Sequence, residues 1–145
     1  MKKVIALILM VMTLMSVLQI PMFAATANEV MPLNNNTLAA NVTFTISSSG
    51  LATVYTSYTG YSGVTTGGTI TTKLQKRFLG IFWTTVDIGT DGEVWVDSSS
   101  EYRYATSHTY QLSDKGTYRV VVEFVVRGTG GAADEIEQTR EAVWE

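Results

Sequence analysis

The stretch Tyr118-Arg119-Val120-Val121-Val122-Glu123-Phe124-Val125-Val126 decides the fold class. Tyr118, Val120, Val122, Phe124 and Val126 fall on one side of a two-residue repeat, with Arg119, Val121, Glu123 and Val125 on the other. Successive side chains leave a pleated backbone in opposite directions, so this alternation marks a strand with one face in a core. Gly128, Gly130 and Gly131 close it. The same period recurs on either side. Val42, Phe44 and Ile46 alternate with Thr43 and Thr45, and Ala52, Val54, Thr56 and Tyr58 share a face. Ile70, Thr72 and Leu74 oppose Thr71, Lys73 and Gln75, while Thr84, Val86 and Ile88 oppose Trp83, Thr85 and Asp87. Val94-Trp95-Val96 follows Asp91-Gly92, a hairpin-type dipeptide. Residues 101–112 form a weaker stretch carrying Tyr102, Tyr104 and Tyr110, and residues 136–144 alternate raggedly. Glycine or Ser/Gly breaks separate the segments, and beyond the N-terminal leader no window sustains a helical period. The pattern predicts an all-β chain, an antiparallel β-sandwich of seven or eight strands.

The residues entering the central strand narrow the architecture. Leu112-Ser113-Asp114-Lys115-Gly116-Thr117-Tyr118-Arg119-Val120 resembles the immunoglobulin-type approach to strand F, where Asp-x-Gly-x-Tyr precedes a core cysteine. The resemblance implies a structural tyrosine corner at Asp114, Gly116 and Tyr118, with the tyrosine hydroxyl bonded to upstream backbone. Val120 stands where that cysteine would be, and the chain has no cysteine at all. The expectation is therefore an immunoglobulin-like sandwich without its inter-sheet bridge. About 110 ordered residues bury enough surface for one core.

Composition divides the chain in two. Five of the six methionines (Met1, Met10, Met12, Met15, Met22) lie in the leader, which opens with Lys2-Lys3 and runs apolar over residues 4–20. Pro21 breaks any helix there, and Ala25-Thr26-Ala27 places small residues ahead of Asn28. This is the pattern of a secretory signal helix cleaved after Ala27, and the apolar run is at the short limit of a bilayer span. The expected organisation is a signal peptide over 1–27, a polar linker over 28–37 and a sandwich domain over 38–145. The expected localisation is secreted and extracellular. Losing Lys2 and Lys3 leaves eight basic residues against thirteen acidic ones, a net of −5. An acidic exported chain without basic clusters points away from nucleic acid and from anionic membrane. Five acids (Asp134, Glu135, Glu137, Glu141, Glu145) crowd the last twelve residues against Arg140 alone, and read as a solvated face.

The same composition excludes most catalytic classes. His108 is the only histidine, and no Gly-x-Ser-x-Gly elbow accompanies it, so it reads as a solvent-facing or satisfied side chain. A catalytic zinc needs more ligands than one histidine and no cysteine supply. Asp87-Ile88-Gly89-Thr90-Asp91-Gly92 starts like a calcium loop, but Gly89 stands at the third position, which needs an oxygen ligand, and Ser98 at the twelfth, which needs a bidentate Glu. Asp91, Glu93 and Asp97 could hold a cation only if the loop folds back, and a polar hairpin is the simpler reading. Asp87, Asp91, Glu93, Asp97 and Glu101 are close in sequence, so a carboxylate-based glycoside hydrolase is the least favoured alternative. No catalytic residue, metal or cofactor is expected. Asn35 and Asn41 sit in short glycosylation patterns, which carry little weight beside a bacterial-type leader.

Aromatic residues are the surplus. Tyr55, Tyr58, Tyr61, Trp83, Trp95, Tyr102 and Tyr104 exceed what one core needs once Phe44, Tyr118 and Phe124 are placed. Cross-strand aromatic pairs would account for them, and so would an exposed patch that stacks on sugars or anchors a protein. The candidate binding group is Tyr61, Trp83, Trp95, Tyr102 and Tyr104.

Gly60-Tyr61-Ser62-Gly63, Leu74-Gln75-Lys76, Trp83-Thr84-Thr85-Val86 and Gly116-Thr117-Tyr118-Arg119, in that order behind the leader, resemble small secreted proteins of Gram-positive bacteria. That domain family has no assigned activity, so the resemblance implies export and fold. The acidic C-terminal strand departs from it. The functional expectation is a secreted non-enzymatic sandwich that binds a glycan or cell-surface protein through surface aromatics. The alternative is a structural subunit self-associating through its first or last strand.

Overall fold

The computed structural model describes residues 34–145; the leader and the linker up to residue 33 lie outside the described residues. Eight strands follow: β1 (Thr37–Ile46), β2 (Leu51–Gly60), β3 (Thr65–Phe78), β4 (Phe82–Thr85), β5 (Val94–Ser99), β6 (Arg103–Gln111), β7 (Gly116–Gly128) and β8 (Asp134–Trp144). A single 3-10 turn, Asp91–Glu93, precedes β5. The strands form two antiparallel sheets. One is three-stranded in the order β1-β2-β6, and the other is five-stranded in the order β4-β3-β7-β8, with β5 also on β3. Together they make an all-β sandwich of two antiparallel sheets, with β5 on the sheet of β3 and β7 rather than on that of β2 and β6.

The alternating residues of β7 form its centre: Val120, Val122, Phe124 and Val126 are wholly buried, flanked by Ile70 and Leu74 of β3. Val42 and Phe44 of β1 and Ala52, Val54 and Tyr58 of β2 cover them from the other sheet. Tyr118 enters the core ring-first, and its hydroxyl donates to the Asp114 carbonyl at 2.6 Å. Burial raises the Tyr118 pKa despite the nearby Lys76 ammonium, so the hydroxyl stays a donor at neutral pH.

β3 is the long scaffold. Gly68 to Lys73 pair with β5, Gln75 to Phe78 pair with β4, and both partners lie on the side of β3 away from β7. The far half of β3 thus carries β4 as a short hairpin arm. Residues 84–88, expected as one strand, divide: β4 ends at Thr85, and Val86 and Ile88 pack on the core from a connection. The Asp87 carboxylate accepts the Gly89 N–H at 2.8 Å, a side-chain turn that ends strand pairing.

The two open sides of the sandwich are closed differently. Along β1 and β8, Gln138 Nε2 donates to the Ala40 carbonyl at 2.8 Å. Along β5 and β6, His108 Nε2 meets Asp97 Oδ2 at 2.7 Å, and the same carboxylate accepts the Thr106 hydroxyl at 3.3 Å. Trp95 stacks on the His108 ring, centroids 4.9 Å apart and 5° from parallel. His108 is a satisfied, half-buried residue joining the sheets.

The domain begins before the expected boundary at residue 38. Asn36 and Thr37 are buried, and the Asp134 carboxylate accepts the backbone N–H groups of Asn35 and Asn36, each at 2.8 Å. The Asn36 side chain donates to the Ala132 carbonyl and accepts from Gly130 N–H, while its own carbonyl takes the Thr65 hydroxyl. What looked like the end of a polar linker is a buried knot tying the N-terminal approach to the β2–β3 and β7–β8 turns. A buried carboxylate is tolerable because two N–H donors satisfy it.

Candidate functional site

The β3–β4 hairpin is the feature of this molecule that folding alone does not explain. Phe78 and Phe82 face each other across its last rung, and Leu79, Gly80 and Ile81 form its apex. Stability would place large apolar side chains inward, yet these four are mostly in water: Phe78 56%, Leu79 74%, Ile81 73% and Phe82 60% exposed. The backbone is equally unusual. Leu79 (φ 50°) and Gly80 (φ 71°) are both left-handed, and the turn is closed by Ile81 N–H to the Phe78 carbonyl at 3.1 Å. Glycine suits that conformation, but a leucine Cβ crowds its own carbonyl there at a cost of roughly 1–2 kcal/mol. Asn, Asp or Gly would make the turn without strain. A strained, exposed leucine at an apex is a motive to look for a partner.

Behind the apex the outer face of the five-stranded sheet carries a cationic aromatic cluster. Trp83, opposite Arg77 in the register, lies half-buried with two guanidinium groups over its ring, Arg119 at 4.3 Å and Arg77 at 4.7 Å from the centroid. Each arginine is held from below: Arg119 Nε donates to Gln75 Oε1 at 2.7 Å, and Arg77 pairs with Glu141 at 3.4 Å. Lys76, on the core-facing side of β3, pairs with Asp114 at 3.3 Å and lies 5.7 Å from the Tyr118 ring. The hydrogen bonds from Lys76 and Ser113, with the Lys76 charge, lower the Asp114 pKa. The tyrosine corner is thus the underside of the same end of the sandwich. Gly116 there has φ 148°, a backbone that side-chain-bearing residues rarely adopt.

A shallow depression of about 370 Å³ opens beside Arg119 on the same face, lined among others by Lys73, Gln75, Glu123, Glu137 and Thr139. Its charges are of both signs, so it selects no strongly charged ligand. Its aromatic neighbour already has cations on its ring, which a stacking sugar would have to displace.

Comparison with protein-family models, with curated proteins and with solved structures returned no match. The residues themselves carry the functional argument.

The five aromatics of the sequence-based group do not form one surface. Tyr61 is exposed in the β2–β3 turn, its N–H donating to Thr65 Oγ1 at 2.9 Å. Tyr102 precedes β6 at that same end, with Arg103 5.1 Å from its ring centroid, and its carbonyl accepts Gly60 N–H. Trp83 sits twelve residues along β3 from there, about 40 Å away at ~3.3 Å per residue. Trp95 and Tyr104 turn inward, Trp95 onto His108 and Tyr104 against Tyr58 at 6.3 Å. These two behave as cross-strand packing. Asp97 is committed to His108 and Thr106. Among the described residues no three His, Asp or Glu side chains cluster as metal ligands.

Phe78, Leu79, Ile81 and Phe82 stand out in no two-residue repeat, and Gly80 between them is by pattern one more glycine break. The available signal was the composition of that turn. Phe78-Leu79-Gly80-Ile81-Phe82-Trp83 is apolar straight through a hairpin apex, where Asn, Asp and Ser are the usual residues.

Proposed function

We propose that this protein is a secreted, non-enzymatic β-sandwich that serves as an extracellular binding or adhesion module, docking through the β3–β4 hairpin. The observation that carries the reading is the apex itself: four large apolar side chains more than half exposed, with Leu79 in a strained left-handed conformation. Interface anchors have this character, and scattered surface leucines do not. Trp83 is the one member of the expected aromatic group that borders this apex. Export is supported by the basic start, the apolar run and the Ala25-Thr26-Ala27 site. The resemblance to small secreted Gram-positive proteins points the same way.

The test is a binding screen of the exported protein against surface glycans and surface proteins, beside Trp83→Ala and Phe78→Ser/Phe82→Ser. Binding that is lost in the hairpin variant supports the reading. Binding that is equal in all three proteins refutes it.

A second reading, a subunit assembling through edge strands, has one observation in its favour: β1 and β8 are both sheet edges. Against it, β8 presents Glu135, Glu137 and Glu141 on one face, and like charges oppose the pairing of two copies. A monomer mass that does not change with concentration would remove it.

A further inference from the structure

We propose that the partner of the β3–β4 hairpin is a lipid bilayer bearing anionic headgroups, into which Phe78, Leu79, Ile81 and Phe82 insert. This rests on the reading of the hairpin as the docking element and gives it a partner. Shape favours lipid: the apolar residues form a convex tip of a two-stranded arm, with two phenylalanines abreast and leucine and isoleucine beyond them. A fluid hydrocarbon layer accepts such a tip without a matching pocket.

The residues behind the tip are graded as a membrane interface is. Trp83 follows Phe82 directly, at the level where tryptophan is favoured between hydrocarbon and water. Its ring carries Arg77 and Arg119, which are placed to meet headgroup phosphates. From Trp83 to Gly80 is three residues, about 10 Å of extended chain, which matches the shallow insertion typical of interfacial elements. Backbone chemistry limits the depth to this. The Ile81 N–H is satisfied within the turn, but the outer edge of β4 has no strand partner among the described residues and cannot follow into hydrocarbon.

Net charge had pointed away from anionic membranes, and the distribution of charge reverses that expectation. Lys76, Arg77, Lys115 and Arg119 lie at the hairpin end, four of the eight described basic residues. Asp114, Glu141 and Glu145 are the acids there, three of the twelve described. The remaining nine acids face four cations over the rest of the sandwich. The molecule is a dipole with its apolar apex at the positive end, and repulsion from an anionic surface orients the acidic body outward.

The exported protein is tested for partitioning onto phosphatidylcholine vesicles with and without phosphatidylglycerol, at low and high salt. The inference expects binding that is strengthened by phosphatidylglycerol and weakened by salt, with a blue shift of tryptophan emission that Trp83→Phe removes. Phe78→Ser/Phe82→Ser should weaken partitioning by about tenfold or more. Leu79→Asn, which suits the turn and keeps the fold, should weaken it several-fold. Arg77→Gln should reduce the preference for phosphatidylglycerol while leaving the apolar component. If the wild type does not bind vesicles but shows hairpin-dependent binding in the surface screen, the lipid partner is wrong and the docking element stands. If neither vesicles nor screen show any dependence on the hairpin, both are wrong.

Discussion

Replacing Leu79 by asparagine should make the folded domain more stable, against the usual outcome of removing a large apolar side chain. Leu79 holds φ 50°, and relief of the left-handed clash contributes roughly 1–2 kcal/mol. Asparagine visits that region readily because its short side chain bonds locally to the backbone. The loss on the other side is small. Leu79 is 74% exposed, so about a quarter of a side chain worth ~2 kcal/mol when buried is given up, or about 0.5 kcal/mol. The balance is a gain of about 1 kcal/mol. For a domain of this size that is a rise of about 4 °C in melting temperature. Urea unfolding followed by tryptophan fluorescence reads it as a higher midpoint at unchanged slope. A lower midpoint would refute the reasoning, because Leu79 would then be packed or relaxed rather than strained for a partner. Together with weaker vesicle partitioning, a higher midpoint would separate the residue's cost to folding from its use at the surface.

Asp134→Ala should cost about 2 kcal/mol, since the buried N–H of Asn36 and the partly buried N–H of Asn35 lose a charged acceptor; thermal unfolding would show it. Burial pushes the Asp134 carboxyl up, but the N–H groups of Asn36 and Asn35 and the contribution of Thr37 outweigh burial and leave its pKa lowered. A depressed folded-state pKa stabilises above the unfolded value of about 3.9 and is lost as pH falls through the folded one. Wild type should therefore lose stability on acidification below that value, and Asp134→Ala should show a flatter acid limb in urea midpoints measured against pH. Tyr118→Phe removes the 2.6 Å corner bond to the Asp114 carbonyl and should cost about 1 kcal/mol by the same assay. His108→Ala leaves Asp97 half-buried without its nearest partner and uncovers Trp95. It should cost about 2 kcal/mol, and an unchanged midpoint would show that the β5–β6 side is closed by other contacts.

How far the fold was legible depends on how local its determinants are. β7 declares itself because every inward position from Tyr118 to Val126 is apolar and the pleat converts that alternation directly into burial. The tyrosine corner is also local, four residues from hydroxyl to acceptor. β6 was faint for a physical reason: its inward residues Tyr104, Thr106, His108 and Tyr110 are polar or amphipathic because they line an open side of the sandwich. A period-two pattern is muted where the inner face meets water. The Asn35-Asn36-Thr37 segment read as linker because its polar side chains find partners nearly a hundred residues away, in Ala132 and Asp134. No local rule assigns such partners.

The hairpin site shows the same division. The sequence alone determines that an apolar run crosses Gly80, that cations precede it and that the chain after residue 27 is acidic. Chain order cannot say whether those phenylalanines join the core, because burial depends on what the other sheet covers. Leu74 on the same face of β3 is covered and almost wholly buried, whereas Phe78 and Phe82 at its far end remain more than half exposed. Pairing of β3 with β7 then sets Arg119 opposite Gln75, forty-four positions away in sequence, to lie over Trp83 beside Arg77. Strand alternation is written in neighbouring residues, and the sequence determines it; which apolar face remains uncovered, and which charges gather behind it, are decided by register between distant strands.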